Sequence, residues 1–197
     1  MTRADTTLPF SARESVYDED LPELGRLRLI RVIPEADADL IYSWVREERA
    51  RFWGMRDLSR DEVRDIYQFL DGLDTHHAYL MSVADSPAGI FQSYEPLEDP
   101  VADAYEARPE DTGMHLLLAP ATRPVRNFTP VLVAGLVRFL LSDPAKDRVV
   151  AEPDARNDKA IRRFQGCGFE PGSKVQLAEK EAQLVFLTRA KFESQEC

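Results

Sequence analysis

Apolar and polar positions alternate or recur along most of this chain in ways that predict a mixed set of strands and helices. Leu27, Leu29 and Val32 alternate with Arg26, Arg28 and Arg31, which predicts a first strand beginning near Leu24. After Pro34, the residues Ala38, Ile41, Tyr42 and Val45 fall at helical spacing and predict a helix ending near Arg46. Ser59 followed by Glu62 is a capping box; it opens a second helix with Val63, Ile66, Tyr67 and Leu70 on one side and Gly72 at its close. Two strands, 78–83 and 89–94, follow on either side of Asp85-Ser86-Pro87, which has the chemistry of a hairpin turn. The stretch 96–111 is polar and reads as a loop, and the apolar run 114–119, interrupted only by His115, reads as a buried central strand. A helix over 127–141, a strand over 148–152, a helix over 157–165 and two strands near 174–177 and 183–188 complete the order. Residues 1–23 are patternless and read as a loosely attached arm, and 193–197 as a tail, leaving one domain over 24–192. Hairpins mixed with two crossover helices predict an α/β (α+β) class with a mixed sheet.

Composition narrows the partners. A formal charge of −10 leaves no basic face for nucleic acid. The same acidity suits a cationic acceptor such as a diamine, and equally serves solubility alone. No window approaches a membrane span and the start lacks a hydrophobic leader core, so a cytoplasmic protein is expected, with no membrane partner. Cys167 and Cys197 suggest neither a disulfide framework nor a metal site, and both are expected as reduced thiols. His76 and His77 are adjacent, point to opposite faces of a strand and have no evident third ligand, so no metal is expected.

The segment Asn157-Asp158-Lys159-Ala160-Ile161-Arg162-Arg163-Phe164-Gln165-Gly166-Cys167-Gly168-Phe169 resembles the GNAT acyltransferases, in which an asparagine opens this helix, Ala-Ile follow and Gly-Phe begins the next strand. The stretches 51–55 (RFWGM), 113–118 (GMHLLL) and 151–157 (AEPDARN) resemble more narrowly the siderophore branch of that family, the acyltransferases of mycobactin, aerobactin and desferrioxamine assembly, and the desferrioxamine type most closely. The resemblance covers roughly residues 24–192. It implies a GNAT fold with a mixed sheet of about seven strands, splayed between the fourth and fifth, and an acyl-CoA co-substrate, acetyl-CoA or succinyl-CoA foremost. It also implies a small hydroxylamine or amine acceptor and a monomer or homodimer.

Two departures from the family pattern bear on chemistry. The glycine-rich phosphate loop is replaced by 121–129 (ATRPVRNFT), so the pyrophosphate would fall to Arg123, Arg126 and the helix start at Asn127, Phe128 and Thr129, where unpaired N–H groups favour anions. Phe164 stands where many relatives carry a tyrosine that protonates the departing thiolate, and phenylalanine cannot do that.

Acyl transfer to nitrogen needs a lone pair, a held carbonyl and a path for one proton. The resemblance places His115 and Asp154 on the diverging strands, where His115 would take or hold the acceptor's proton and Asp154 would serve as base or set the imidazole tautomer. Against these stand a core histidine satisfied by the backbone, and an aspartate that only starts the following helix. The main chain of Leu116, Leu117 and Leu118 would hold pantetheine, with Asn157, Ala160 and Phe164 beside it, although Asn157 equally suits a helix cap. Phe52, Trp53, Gln92, Tyr94 and Glu95 would receive the acceptor; loop aromatics that cap a core and an exposed Glu95 salt bridge are the competing readings.

Overall fold

The computed structural model of the chain describes residues 12–121 and 124–196. Eight strands are hydrogen-bonded in the order β1-β2-β3-β4-β5-β6-β8-β7, making an open mixed sheet. The described residues form two compact units, one reaching to Gln92 with Leu116–Arg126 added, the other Ser93–His115 with Asn127 onward. Strands β4 (Ser86–Tyr94) and β5 (Asp111–Leu118) contribute residues to both.

In the first unit, β1 (Tyr17–Leu21) and β2 (Gly25–Arg31) form an antiparallel hairpin, and β2 pairs with β3 (His76–Val83). β1 lies inside the segment that reads as a loose arm. It is an edge strand in which only Leu21 is buried, so its order comes from backbone pairing and leaves no apolar periodicity to read. Helix α1 (Pro34–Val45) opens on proline, whose fixed φ suits a first turn, and its Asp37 carboxylate accepts the Ile33 N–H at 2.8 Å. Arg13, 3% exposed and also within the expected arm, donates to both Asp37 oxygens at 3.1 and 2.5 Å.

Helix α2 (Arg60–Asp71) carries the expected Ser59/Glu62 capping box. Its Val63 and Tyr67 join Ile41, Trp44 and Val45 of α1 and Leu80, Ile90 and Leu117 of the sheet in the unit's core. The β3–β4 turn is tighter than its sequence suggests. Ala84 (φ 47°) and Asp85 (φ 60°) form a two-residue turn of the primed kind that matches strand twist, and Ser86 and Pro87 already belong to β4.

In the second unit, α3 (Phe128–Leu140) leads to β6 (Arg148–Ala151), α4 (Asp158–Gly166), β7 (Glu170–Gln176) and β8 (Glu181–Thr188). The chain then turns directly into α5 (Arg189–Glu196), which runs into the stretch 193–197 expected as a tail. Phe192 is the deeply buried residue of that helix, too little apolar signal for periodicity to register. β5 and β6 pair in parallel over three residues only, Asp111 with Arg148, Thr112 with Val149 and Gly113 with Val150. Arg148 clasps the buried Asp111 at 2.6 and 2.8 Å and lies over the Phe186 ring at 4.9 Å, which fixes that register at its start.

Candidate active site

The end of the β5–β6 ladder brings four side chains of the second unit together. Counting two residues past the last pair, Gly113 with Val150, puts His115 and Glu152 on the same face. There His115 Nε2 meets Glu152 Oε1. Tyr94, near the end of β4, donates its hydroxyl to Glu152 Oε2 at 2.6 Å, and its ring lies 4.9 Å from the imidazole. Lys180, in the β7–β8 turn, brings Nζ to 3.7 Å from Glu152 Oε1. The Tyr94 ring crosses β5 over Gly113, where a Cβ would stand 2.1 Å from the ring's Cζ, so only glycine admits it.

Electrostatics give these groups distinct states. Burial pushes the Glu152 carboxyl up, but the His115 charge and hydrogen bond, the Lys180 ammonium and the Tyr94 hydroxyl outweigh burial and hold it well below the usual range. Burial, then the Glu152 charge and hydrogen bond, pushes the Tyr94 phenol well up, so it stays a donor. An ionised carboxylate only accepts, so Nε2 carries the proton it shares with Glu152. The imidazole is one-third exposed while Glu152 is 5% exposed: a reachable ring backed by a buried anion.

Asp154, the carboxylate expected beside His115, is engaged by other partners. It bridges to Ala182 of β8, and its side chain accepts from the Arg156 N–H and guanidinium at 2.7–2.9 Å. The Arg156 hydrogen bonds hold its pKa down against burial. Glu152, which sequence reasoning took only as a strand end, occupies the place by the imidazole. The signal available was a carboxylate sharing a strand face with Val150, since a buried charge demands partners.

The remaining expected residues are distributed as follows. Tyr94 and Glu95 are engaged by Glu152 and Lys146. Phe52 stacks under Arg51, 4.6 Å from its guanidinium, and Trp53 packs on the first unit's core. Gln92 is the half-buried last residue that β4 gives to the first unit. Leu116–Leu118 end β5, and the Leu118 carbonyl accepts from Arg49. Arg123 lies outside the described residues. Arg126 is exposed; Asn127 precedes α3 in the left-handed region (φ 55°) without a side-chain cap, and Phe128 and Thr129 form the first turn. Asn157 caps α4 through the Ala160 N–H at 3.2 Å, and Phe164 meets Phe169 edge-on at 5.0 Å. No residue of α4 is fully buried, so Ala160, Ile161 and Phe164 form an apolar face left partly open. Among the described residues no group of His, Cys, Asp and Glu could hold a metal, and no helix is long and apolar enough to cross a membrane.

The model of the acetyltransferase (GNAT) domain matches residues 33–177. The chain belongs to the GNAT acetyltransferase family. Its relatives include the aminoglycoside N(6')-acetyltransferase type 1 of Klebsiella pneumoniae, 27% identical over 83% of this chain and 84% of that one. Others are the lysine N-acyltransferase MbtK of Mycobacterium sp. (29%; 86% and 75%) and the N(6)-hydroxylysine O-acetyltransferase of Escherichia coli (24%; 90% and 57%). Among solved structures, an uncharacterised protein from Bacillus halodurans superposes with a TM-score of 0.84 at 25% identity, covering 91% of this chain and 93% of that one. Aminoglycoside acetyltransferase AAC(6')-Ib in complex with coenzyme A does so at 0.76 and 26%, covering 87% and 99%. As a GNAT enzyme, this chain is an acyl-CoA N-acyltransferase with acyl-CoA as co-substrate.

Proposed function

We propose that this GNAT enzyme acylates an N-hydroxylated diamine or amino acid, of the hydroxycadaverine, hydroxylysine or hydroxyornithine type, in hydroxamate siderophore assembly, with acetyl-CoA or succinyl-CoA as donor. The observation that carries the proposal is the part-exposed His115 imidazole held by the buried Glu152. A hydroxylamine nitrogen is weakly basic and already neutral at pH 7, so it needs orientation and one proton acceptor rather than prior deprotonation. The nitrogen attacks the thioester carbonyl and gives its proton to His115 Nδ1. The C–S bond breaks as the carbonyl re-forms, and the imidazolium returns the proton to the departing thiolate. That route supplies the acid that Phe164 cannot. Asp154 is the second candidate for a proton-transfer role.

Pantetheine is assigned to the main chain of Leu116, Leu117 and Leu118. The pyrophosphate is assigned to Arg123, Arg126 and the first turn of α3. Phe52, Trp53 and Gln92 are assigned to the acceptor.

A second reading, acetylation of an aminoglycoside, is favoured by the Klebsiella pneumoniae relative, which matches this chain over more of its own length than the hydroxylysine relative does. A thiol-release assay crossing acetyl-CoA and succinyl-CoA with hydroxycadaverine, hydroxylysine, hydroxyornithine, their unhydroxylated parents and kanamycin separates the two. Turnover at least about tenfold faster with a hydroxylamine is expected, and His115→Ala lowers it by about 10²-fold or more. Turnover of kanamycin or plain amines alone rejects the siderophore reading, and wild-type rates in folded His115→Ala and Asp154→Asn reject the assigned chemistry.

A further inference from the structure

The geometry points to Glu152 as the positioning carboxylate of His115, fixing its tautomer and orientation, and to Lys180 as the cation that shares the same carboxylate oxygen. This rests on the reading that His115 serves the acceptor. Glu152 Oε1 faces both the imidazole Nε2 and, at 3.7 Å, the Lys180 ammonium, so one oxygen is shared between the ring and a cation. Its other oxygen is occupied by the Tyr94 hydroxyl at 2.6 Å, which prevents the carboxylate from rotating away. The charged or titratable groups around His115 include Tyr94 from β4, Glu152 after β6 and Lys180 from the β7–β8 turn. Asp154, held by Arg156, is also in the field of Lys180.

The two charges act in opposite senses on the ring. A carboxylate against Nε2 stabilises the imidazolium and fixes the tautomer, whereas an ammonium on the same oxygen withdraws part of that support. Buried within the protein, Glu152 acts through the imidazole and not on substrate. The Lys180 side chain is one-quarter exposed at a hairpin turn, so this cation can be changed with little disturbance of packing.

The test is ring-nitrogen NMR on the full chain, which has three histidines, with His115→Ala identifying the signal. In the wild type the neutral ring is expected as the Nε2–H tautomer. With acetyl-CoA and hydroxycadaverine, kcat falls about 10²-fold in Glu152→Gln and by a smaller factor in Lys180→Met, while the KM for acetyl-CoA holds. A group that only holds the fold would leave kcat unchanged in the folded variants. An Nδ1–H tautomer in the wild type, or wild-type kcat in folded Glu152→Gln, overturns the assignment. If Glu152→Gln does not fold, the wild-type tautomer and the Lys180→Met kcat still decide it. Wild-type turnover in His115→Ala would instead reject the proposed function, a result separable from the NMR outcome.

Discussion

Replacing Gly113 with alanine puts a methyl group into space that Tyr94 already fills. The added Cβ would lie 2.1, 2.2 and 2.4 Å from ring atoms Cζ, Cε2 and Cε1, all well inside contact distance. Tyr94 is 3% exposed, and its hydroxyl donates to the buried Glu152 carboxylate at 2.6 Å, so the ring cannot move without breaking that bond. Overpacking costs about 1–3 kcal/mol, and a buried acceptor deprived of its donor a further 1–3 kcal/mol or so. A combined loss near 3 kcal/mol lowers the melting temperature of a chain this long by about 6–12 °C. An ordinary strand glycine behaves in the opposite way, since alanine there stabilises by roughly 0.5–1 kcal/mol. The sign of the change in thermal or urea unfolding therefore decides the matter. Gly113→Ala combined with Tyr94→Leu, which vacates the space, should recover much of the packing cost, and the cycle should show coupling above about 1 kcal/mol. A Gly113→Ala protein as stable as the wild type, or additive single changes, would refute the reasoning.

Two further outcomes can be checked. The Glu152 carboxyl is lowered from 4.5 to about 2, burial raising it but His115, Lys180 and Tyr94 prevailing. A depressed carboxyl stabilises the fold above its unfolded value, so about 3 kcal/mol present at pH 7 is lost as pH falls from about 4.5 to about 2, and Glu152→Gln flattens that decline in urea midpoints. Arg13→Met leaves Asp37 buried without its cation and should cost about 3–5 kcal/mol in chemical unfolding, whereas a wild-type midpoint would show that the segment before β1 is not tied down by this pair.

Much of the fold could be read from the chain because helices and hairpins are specified within a few residues. The Ser59/Glu62 box sits at the start of α2 and Pro34 opens α1, since caps act over a single turn, whereas the gap after β4 that reads as a loop holds two short 3-10 helices, Pro96–Glu98 and Pro100–Ala104. The elements that escaped, β1 and α5, bury one residue each, Leu21 and Phe192, and owe their order to neighbours that the local pattern does not show. His115 could be singled out as a polar residue in an apolar strand, and Asn157 and Phe164 by the family resemblance of 157–169. What no local pattern supplied was the partner of that imidazole. Tyr94, His115 and Glu152 lie 37 and 58 residues apart along the pairs that join them, and they meet because β5 and β6 align Gly113 with Val150. A carboxylate two positions further along, Asp154, has the same chemistry in sequence but passes to β8 and Arg156 instead. Local periodicity determined most of the elements, and the motif at 157–169 carried the family resemblance; the parallel register, which depends on contacts between distant segments, decided which carboxylate meets the imidazole.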